Sequence, residues 1–163
     1  MRKFNHCLRL ATCTLALTLN PLVARANEAV ENAAIVGNAF ETWSEGTYIF
    51  DQILAPDVVW TVHGSGPAAG RYTSMADFVE KASTPLVSRL ATPLIPKVHE
   101  FWAVRDTVIV RFDGAATTTS GSAYNNQFVW ILKMQEGRVV EAEVFLDLRA
   151  YDEVVENNAP KLD

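Results

Sequence analysis

The chain has 163 residues and a net charge of −5 at neutral pH, from 14 basic and 19 acidic side chains. The acidic residues are scattered, and this balance argues against a nucleic-acid partner or an anionic membrane surface. Both cysteines, Cys7 and Cys13, lie in the first 26 residues, so the sequence after them offers no disulfide and no cysteine-ligated metal.

Residues 1–26 have the layout of a secretory signal peptide. A basic start precedes the apolar run Leu10–Leu19, and the segment 24–26 has the small-x-small pattern of a cleavage site. The apolar run is too short to span a membrane. We therefore predict cleavage after Ala26, export to the periplasm or the exterior, and no membrane attachment afterwards. Cleavage leaves a net charge near −9, because the basic side chains fall from 14 to 10 against 19 acidic ones.

Patterning predicts one domain over residues 27–156 and a flexible tail over 157–163. The first half of the domain is predicted to hold helices over 27–45 and 47–54, a strand over 57–63, a glycine-rich loop over 64–70 and a helix from Ser74 that Pro85 breaks or kinks. Strands follow over 95–104, 107–119, 128–134 and 139–146, and a last helix over 147–155. The second of these strands has a bulge or bend at Gly114. The loop matches no phosphate-binding spacing and is interpreted as a rim. This order predicts an α+β fold, a curved antiparallel sheet wrapped around N-terminal helices, with any function in the enclosed cavity.

Arg111 and Asp113 are two apart on a predicted strand, so they share a face. If that face lines the cavity, Arg111 would keep Asp113 ionised and oriented as a positioned base. Phe112 shares the opposite face with Val108 and Val110. The alternative is a solvent-facing ion pair on the outer side, which would contribute little to stability.

Other polar residues are weaker candidates. Asp147 directly precedes a helix, which favours an N-cap over catalysis. His63 ends a strand beside the glycine-rich loop, where it would face the mouth, whereas His99 is peripheral. No spacing joins the two histidines to carboxylates, so we expect no metal site, and we expect no cofactor.

Aromatic residues on strands belong to the core by default. Those on the concave face, for which Trp60, Phe128 and Trp130 are the candidates, would line an apolar pocket for a small hydrophobic molecule. Asn126 shares the face of Phe128 and Trp130 and would supply one polar handle. Tyr72, after the glycine-rich loop, would act at the mouth.

Five short motifs follow one another in a recognisable order: Trp60-Thr61-Val62-His63-Gly64, Gly70-Arg71-Tyr72, Gly121-x-x-Tyr124-Asn125, Glu136-Gly137-Arg138-Val139 and Phe145-Leu146-Asp147. Through these motifs the chain resembles the NTF2-like, SnoaL-like superfamily of polyketide cyclases, ketosteroid isomerase relatives and limonene-epoxide hydrolases. The resemblance covers most of residues 30–156. The resemblance implies an α+β cone, commonly a homodimer formed through the sheet.

The resemblance transfers function only in part. In the epoxide-hydrolase branch an Asp-Arg-Asp set activates water, helped by a Tyr and an Asn. Arg111 and Asp113 match its Arg-x-Asp part, which implies that they face the cavity. The second aspartate, like the catalytic acid of the cyclases, falls on Val144, and the Tyr and Asn fall on Trp60 and Val62. Epoxide hydrolysis by that mechanism is therefore not expected.

We predict an exported protein with an apolar cavity for a small hydrophobic molecule. As an enzyme it would be an isomerase, cyclase or lyase with Asp113 as base and Arg111 orienting it. His63 or Tyr72 would act at the mouth, and Val144 and Asp147 would border the ligand. The alternative is a non-catalytic ligand-binding module or a dimeric accessory module of the same fold.

Overall fold

A computed structural model describes residues 21–161, with side chains from residue 26 onward. The elements are α1 (Pro21–Ser44), α2 (Phe50–Ile53), β1 (Leu54–Val62), β2 (Gly70–Tyr72), α3 (Met75–Phe78), a π-helical turn (Val79–Ser83), α4 (Thr84–Val87), β3 (Ile95–Val104), β4 (Thr107–Thr117), β5 (Ala123–Gln135), β6 (Arg138–Leu146) and α5 (Leu148–Asn157). The basic start, apolar run and cysteines of the predicted signal peptide lie outside these residues. Within residues 21–161 no helix is long and apolar enough to cross a membrane.

The six strands form one sheet in the order β2-β1-β6-β5-β4-β3. All neighbouring pairs are antiparallel except β1 and β6, which are parallel. The parallel pair arises because the meander from β3 to β6 brings the last strand back beside the first. The predicted curved α+β sheet with N-terminal helices is confirmed, with this one parallel pairing added.

Alternating side chains divide the sheet into a core face and an outer face. On β4, Val108, Val110 and Phe112 are fully buried and carry the core face. On β6, Ala142 and Val144 are buried, while the glutamates that alternate with them, Glu141 and Glu143, are exposed. The helices cover the core face, which is therefore the face that encloses any cavity.

The bulge predicted at Gly114 is absent from β4, and the irregularity lies instead in β3, between Val98 and Glu100. Gly114 has a packing role. A Cβ at this position would lie 2.9 Å from Phe128 Cε2 and 3.1 Å from Leu94 Cδ1. Glycine thus leaves space for an aromatic ring of the neighbouring strand to lie against the backbone.

The helix that follows β2 begins as predicted, because Ser74 Oγ accepts a hydrogen bond from the backbone N–H of Asp77 at 3.1 Å. Of the two predicted effects of Pro85, a break or a kink, the break does not occur, since helical structure continues to Val87. The π-helical turn Val79–Ser83 ends two residues before the proline. Pro85 lies in the first turn of α4, where its missing N–H and fixed φ are tolerated.

The second predicted helix and the C-terminal tail also differ from the prediction. The second predicted helix is reduced to α2, and β1 already starts at Leu54. The tail expected to be loose is tied down as far as the structure describes it. Asn158 O accepts a hydrogen bond from Arg89 Nε at 2.9 Å, and the backbone N–H of Lys161 donates to Ser88 O at 2.7 Å.

Candidate functional site

A cavity of about 330 Å³ lies between the core face of the sheet and the helices that cover it. Its sheet side is formed by residues of three neighbouring strands, β1, β6 and β5: Trp60, Val62, Phe128, Trp130, Val144 and Leu146. Its helical side includes Phe50 of α2, Phe78 of α3 and Leu86 of α4, with Tyr151 of α5. Nearly all of these groups are apolar, so the cavity suits a hydrophobic molecule.

The aromatic side chains of the wall hold one another in place. Trp60 stacks on Phe78 with ring centroids 4.3 Å apart, and Trp130 meets Trp60 nearly at right angles, 5.1 Å away. Phe128 stacks on Phe112 at 4.7 Å. Stacked and edge-to-face pairs are favourable arrangements for aromatic rings. The cavity therefore has a preformed aromatic lining.

The described lining residues include no aspartate, glutamate or histidine, and Lys161 is the one among them with a formal charge. Two phenols also line the cavity. Tyr151 donates its hydroxyl hydrogen to Ala82 O at 2.8 Å, and burial raises its pKa. Desolvation, followed by the charge of Asp51, raises the pKa of Tyr48. Both phenols stay protonated near neutral pH, so they are not general bases there.

Four predicted ligand-binding residues lie in the cavity wall: Trp60, Phe128, Trp130 and Val144. Val62 lies there as well. Trp60, Val62 and Val144 are the positions that the resemblance matched to polar catalytic residues of the epoxide hydrolases. In this chain these three positions face the cavity with apolar side chains.

The expected cavity position of Asp113 and Arg111 is wrong. Their neighbour Phe112 occupies the core face, so both charged side chains point to the outer face of β4. They do share a face, as predicted, and Arg111 Nη1 donates to Asp113 Oδ1 at 2.6 Å. Their side chains are 28% and 38% exposed. The sheet separates this pair from a molecule in the cavity.

His99 completes a cluster around Asp113 that the sequence did not indicate. His99 Nε2 lies 2.7 Å from Asp113 Oδ2. Hydrogen bonds from Arg111, and then from His99, lower the pKa of Asp113 below its usual range. The carboxylate is thus held ionised on the outer face, which makes it a poor proton acceptor.

His63 does not face the cavity mouth. Its ring stacks on Phe145 of the outer face, with centroids 4.6 Å apart and planes only 8° apart. His63 Nε2 also lies 3.6 Å from Glu143 Oε2. The backbone explains the orientation, because His63 N donates to Val144 O and so extends the β1–β6 pairing by one residue.

Asn126, predicted as a polar handle, is buried outside the cavity lining. Its Nδ2 donates to Tyr124 Oη and to Asp147 O, both at 2.9 Å. Its Oδ1 accepts from the backbone N–H groups of Gln127 and Asp147. With these four hydrogen bonds Asn126 holds the end of β6 in place. Its side-chain amide has no donor or acceptor left for a ligand.

Tyr72 and Asp147 also have structural partners and do not line the cavity. Tyr72 donates its hydroxyl hydrogen to Ala68 O at 2.9 Å and so anchors the glycine-rich loop. Asp147 caps α5, accepting from the backbone N–H groups of Arg149 and Ala150, as the N-cap interpretation predicted.

Sequence reasoning missed most of the helical side of the cavity. Phe78, Ala82 and Leu86 line it at a spacing of four residues, which places them on one face of the helix over 75–87. That spacing was visible in the sequence. The loop over 91–94 also lines the cavity, and no local pattern indicates that. Within residues 21–161 no group of three or more potential metal-ligating side chains is found.

No family model and no curated protein matches the chain. Solved structures do. An NTF2-like protein from Burkholderia thailandensis is 20% identical with a TM-score of 0.62, over 76% of this chain and 95% of that one. A SnoaL-like protein from a Jannaschia species is 15% identical with a TM-score of 0.61, over 80% and 95%. TerC, crystallised with polyporic acid, is 21% identical with a TM-score of 0.59, over 78% and 99%. The chain therefore has the NTF2-like fold shared by SnoaL-like proteins.

Proposed function

We propose that the protein binds a small hydrophobic molecule in the cavity between the sheet and the helices. The observation that carries the proposal is a cavity of about 330 Å³ whose walls are almost wholly aromatic and aliphatic. Cavities of this size and lining are typical of small-molecule sites. TerC, a protein with the same fold, was crystallised with polyporic acid, which supports a small-molecule site in this fold.

Binding without acid–base turnover is the form of the function that we favour. The described lining residues include no carboxylate and no imidazole, and the lining phenols stay protonated. Asp113, the base of the isomerase, cyclase or lyase hypothesis, lies on the outer face. A substrate in the cavity would therefore meet groups that orient it, rather than a group that removes a proton.

A thermal-shift panel tests this function. The panel contains terpenoid epoxides, steroid enones, aromatic polyketides and fatty acids. A ligand at a hundred times its dissociation constant stabilises the fold by about 2.7 kcal/mol, which is readily measured. A ligand that stabilises the protein but is recovered unchanged after long incubation supports binding alone. Its conversion to a product would favour the enzyme hypothesis, and no stabilisation by any compound would contradict the proposal.

Export with cleavage after Ala26 is a second part of the proposal. Helix α1 runs through the cleavage site, yet its core residues Val36, Ala39 and Phe40 all follow that site. The shortened chain would keep these contacts. Expression of the full chain followed by fractionation and N-terminal sequencing tests it. We expect a periplasmic or secreted product that begins at Asn27, and an uncleaved cytoplasmic product would contradict it.

A homodimer formed through the outer face of the sheet is the third part. Trp102 is 49% exposed there, and cross-strand pairing places Ile109 and then Ile131 beside it in one row. A second copy would cover this apolar row. Analytical ultracentrifugation should give twice the chain mass, and Trp102→Glu should give the monomer. A monomeric wild-type protein at high concentration would contradict this part.

A further inference from the structure

We propose that the ligand of the cavity carries a hydrogen-bond-accepting oxygen, which the indole N–H groups of Trp60 and Trp130 bind. This inference rests on the proposed function and names the ligand class: flat, hydrophobic molecules with a carbonyl or similar oxygen. It assigns the two tryptophans a recognition role in addition to their role in packing.

The two indoles are buried donors without acceptors. Trp60 is 1% exposed and Trp130 is 4% exposed, and both line the cavity. Neither Nε1 atom has a hydrogen-bond partner among the described residues. The indole nitrogen only donates, and a buried indole N–H usually finds an acceptor, because leaving it unsatisfied is costly. Two such donors in one cavity wall indicate that the acceptor comes from a ligand.

The neighbouring rings hold both indoles in position. Trp60 stacks on Phe78, and Trp130 stacks on Trp43 with centroids 5.7 Å apart and planes 18° apart. Rotating either indole toward solvent would disrupt these contacts. Each Nε1 atom exposes less than 1 Å² in this structure, so a ligand oxygen reaches these donors when side chains of the cavity wall make room for it. The surrounding aromatic rings favour a flat ligand body.

The competing explanation is that the protein satisfies the donors itself. Trp60 and Trp130 meet at 82° with centroids 5.1 Å apart, so one indole N–H could point at the π face of the other. Such contacts are weak compared with a bond to oxygen. If they suffice, the cavity should show no preference between a ketone and the hydrocarbon of the same shape.

Matched ligand pairs separate these explanations. Fluorenone and fluorene form a rigid pair, and benzophenone and diphenylmethane form a flexible pair; in each pair the carbonyl replaces a methylene group. Dissociation constants are measured by equilibrium dialysis on the wild type and on Trp60→Phe, Trp130→Phe and Trp43→Phe. Trp43→Phe is the control, because Trp43 lines the same cavity but its indole nitrogen is not among the buried donors that lack partners. The ketone-to-hydrocarbon ratio within each variant corrects for changes in cavity shape.

We expect the wild type to bind at least one ketone about tenfold more tightly than its hydrocarbon. Trp60→Phe, Trp130→Phe or both should lower that ratio toward one, whereas Trp43→Phe should keep it. Equal binding of ketone and hydrocarbon by the wild type, or a preference that both Trp60→Phe and Trp130→Phe retain, would overturn this inference and leave the proposed function standing. Failure of both pairs to bind would overturn the inference and count against the proposed function as well.

A spectroscopic readout on the wild type covers the case in which a variant does not fold. The chain has four tryptophans and therefore four indole N–H resonances in a ¹H–¹⁵N spectrum. Fluorenone should shift one or both of the Trp60 and Trp130 signals downfield, while fluorene should not. Identical shifts with the two ligands would overturn the inference.

Discussion

The guanidinium of Arg111 and the carboxylate of Asp113 meet at 2.6 Å on the outer face of β4, while Phe112 between them points into the core. The two charges bind each other, and His99, which lies on β3, also contacts the Asp113 carboxylate. Partly exposed ion pairs of this kind contribute little to stability. A molecule in the cavity would lie on the far side of the sheet from all three.

Replacing Asp113 should therefore leave ligand binding intact. Asp113→Asn removes the charge but keeps the shape, and we expect the dissociation constant for fluorenone to change by less than about twofold. Phe128→Ala, which removes a ring from the cavity wall, should weaken binding about tenfold or more. Equilibrium dialysis measures both. Lost binding in a well-folded Asp113→Asn protein would show that the carboxylate reaches the ligand.

Gly114 should tolerate no side chain. In Gly114→Ala the new methyl group would clash with the ring of Phe128 and the side chain of Leu94, both of which line the cavity. We expect a loss of about 1–3 kcal/mol of unfolding free energy and weaker binding of fluorenone. Gly37→Ala in α1 is the control, since nothing lies within 4 Å of its added Cβ. Urea unfolding of both variants checks this, and equal stability of the two would contradict the packing role.

Alkaline pH should destabilise the protein partly through Tyr124. Burial raises the pKa of Tyr124 to about 12 from its ordinary value of 10.0. Because the folded state holds the proton more tightly, this contribution is fully present below pH 10 and is lost as the pH rises through 12. Between pH 9 and pH 11 the loss should be about 1 kcal/mol.

Comparison with Tyr124→Phe isolates this residue from Tyr151, whose pKa is also raised. The phenylalanine variant should be less stable at neutral pH, since it lacks the hydroxyl that bonds Asn126. Its disadvantage should shrink between pH 9 and pH 11 in denaturant titrations. A constant difference across that range would mean that Tyr124 ionises equally easily in both states.

Lys161 should favour ligands with an acid group. It is the charged residue among the described lining residues, and hydrogen bonds of the segment 158–161 hold it near the cavity. Lys161→Met should weaken binding of a fluorenone carboxylic acid a few-fold and leave its uncharged amide unaffected, because the ammonium is exposed to solvent. Lys161→Arg should retain the preference for the acid. Equal effects of Lys161→Met on acid and amide would indicate that only the stem of the lysine contacts ligands.

The fold was predictable because local patterns agree with one another. The alternation in β5 and β6, the turn at Glu136-Gly137 and the cap at Asp147 each specify one element without knowledge of the rest. Motif order then suggested how the elements assemble. The parallel pairing of β1 with β6 depends on contacts between distant parts of the chain, and no local pattern reveals it.

Of the site, only the apolar residues contributed by the strands could be predicted. Strand alternation puts Phe128 with Trp130 on one face of β5 and Phe112 with Val108 and Val110 on one face of β4, and aromatic residues on strands belong to the core by default. The resemblance favoured the opposite assignment for Arg111 and Asp113, and the alternation was the better guide. A match of residue types two apart cannot show which face they occupy, since a shift of one residue exchanges the faces.

Filling the cavity with a larger side chain should abolish ligand binding. Val144→Trp places a large ring in the cavity wall, and circular dichroism establishes whether the variant folds. Thermal melting is then followed with and without fluorenone for the wild type, Asp113→Asn and Val144→Trp. We expect fluorenone to raise the melting temperature of the wild type and of Asp113→Asn, but not of the folded Val144→Trp protein. The same rise in all three, or no rise in the wild type, would contradict a ligand site in this cavity.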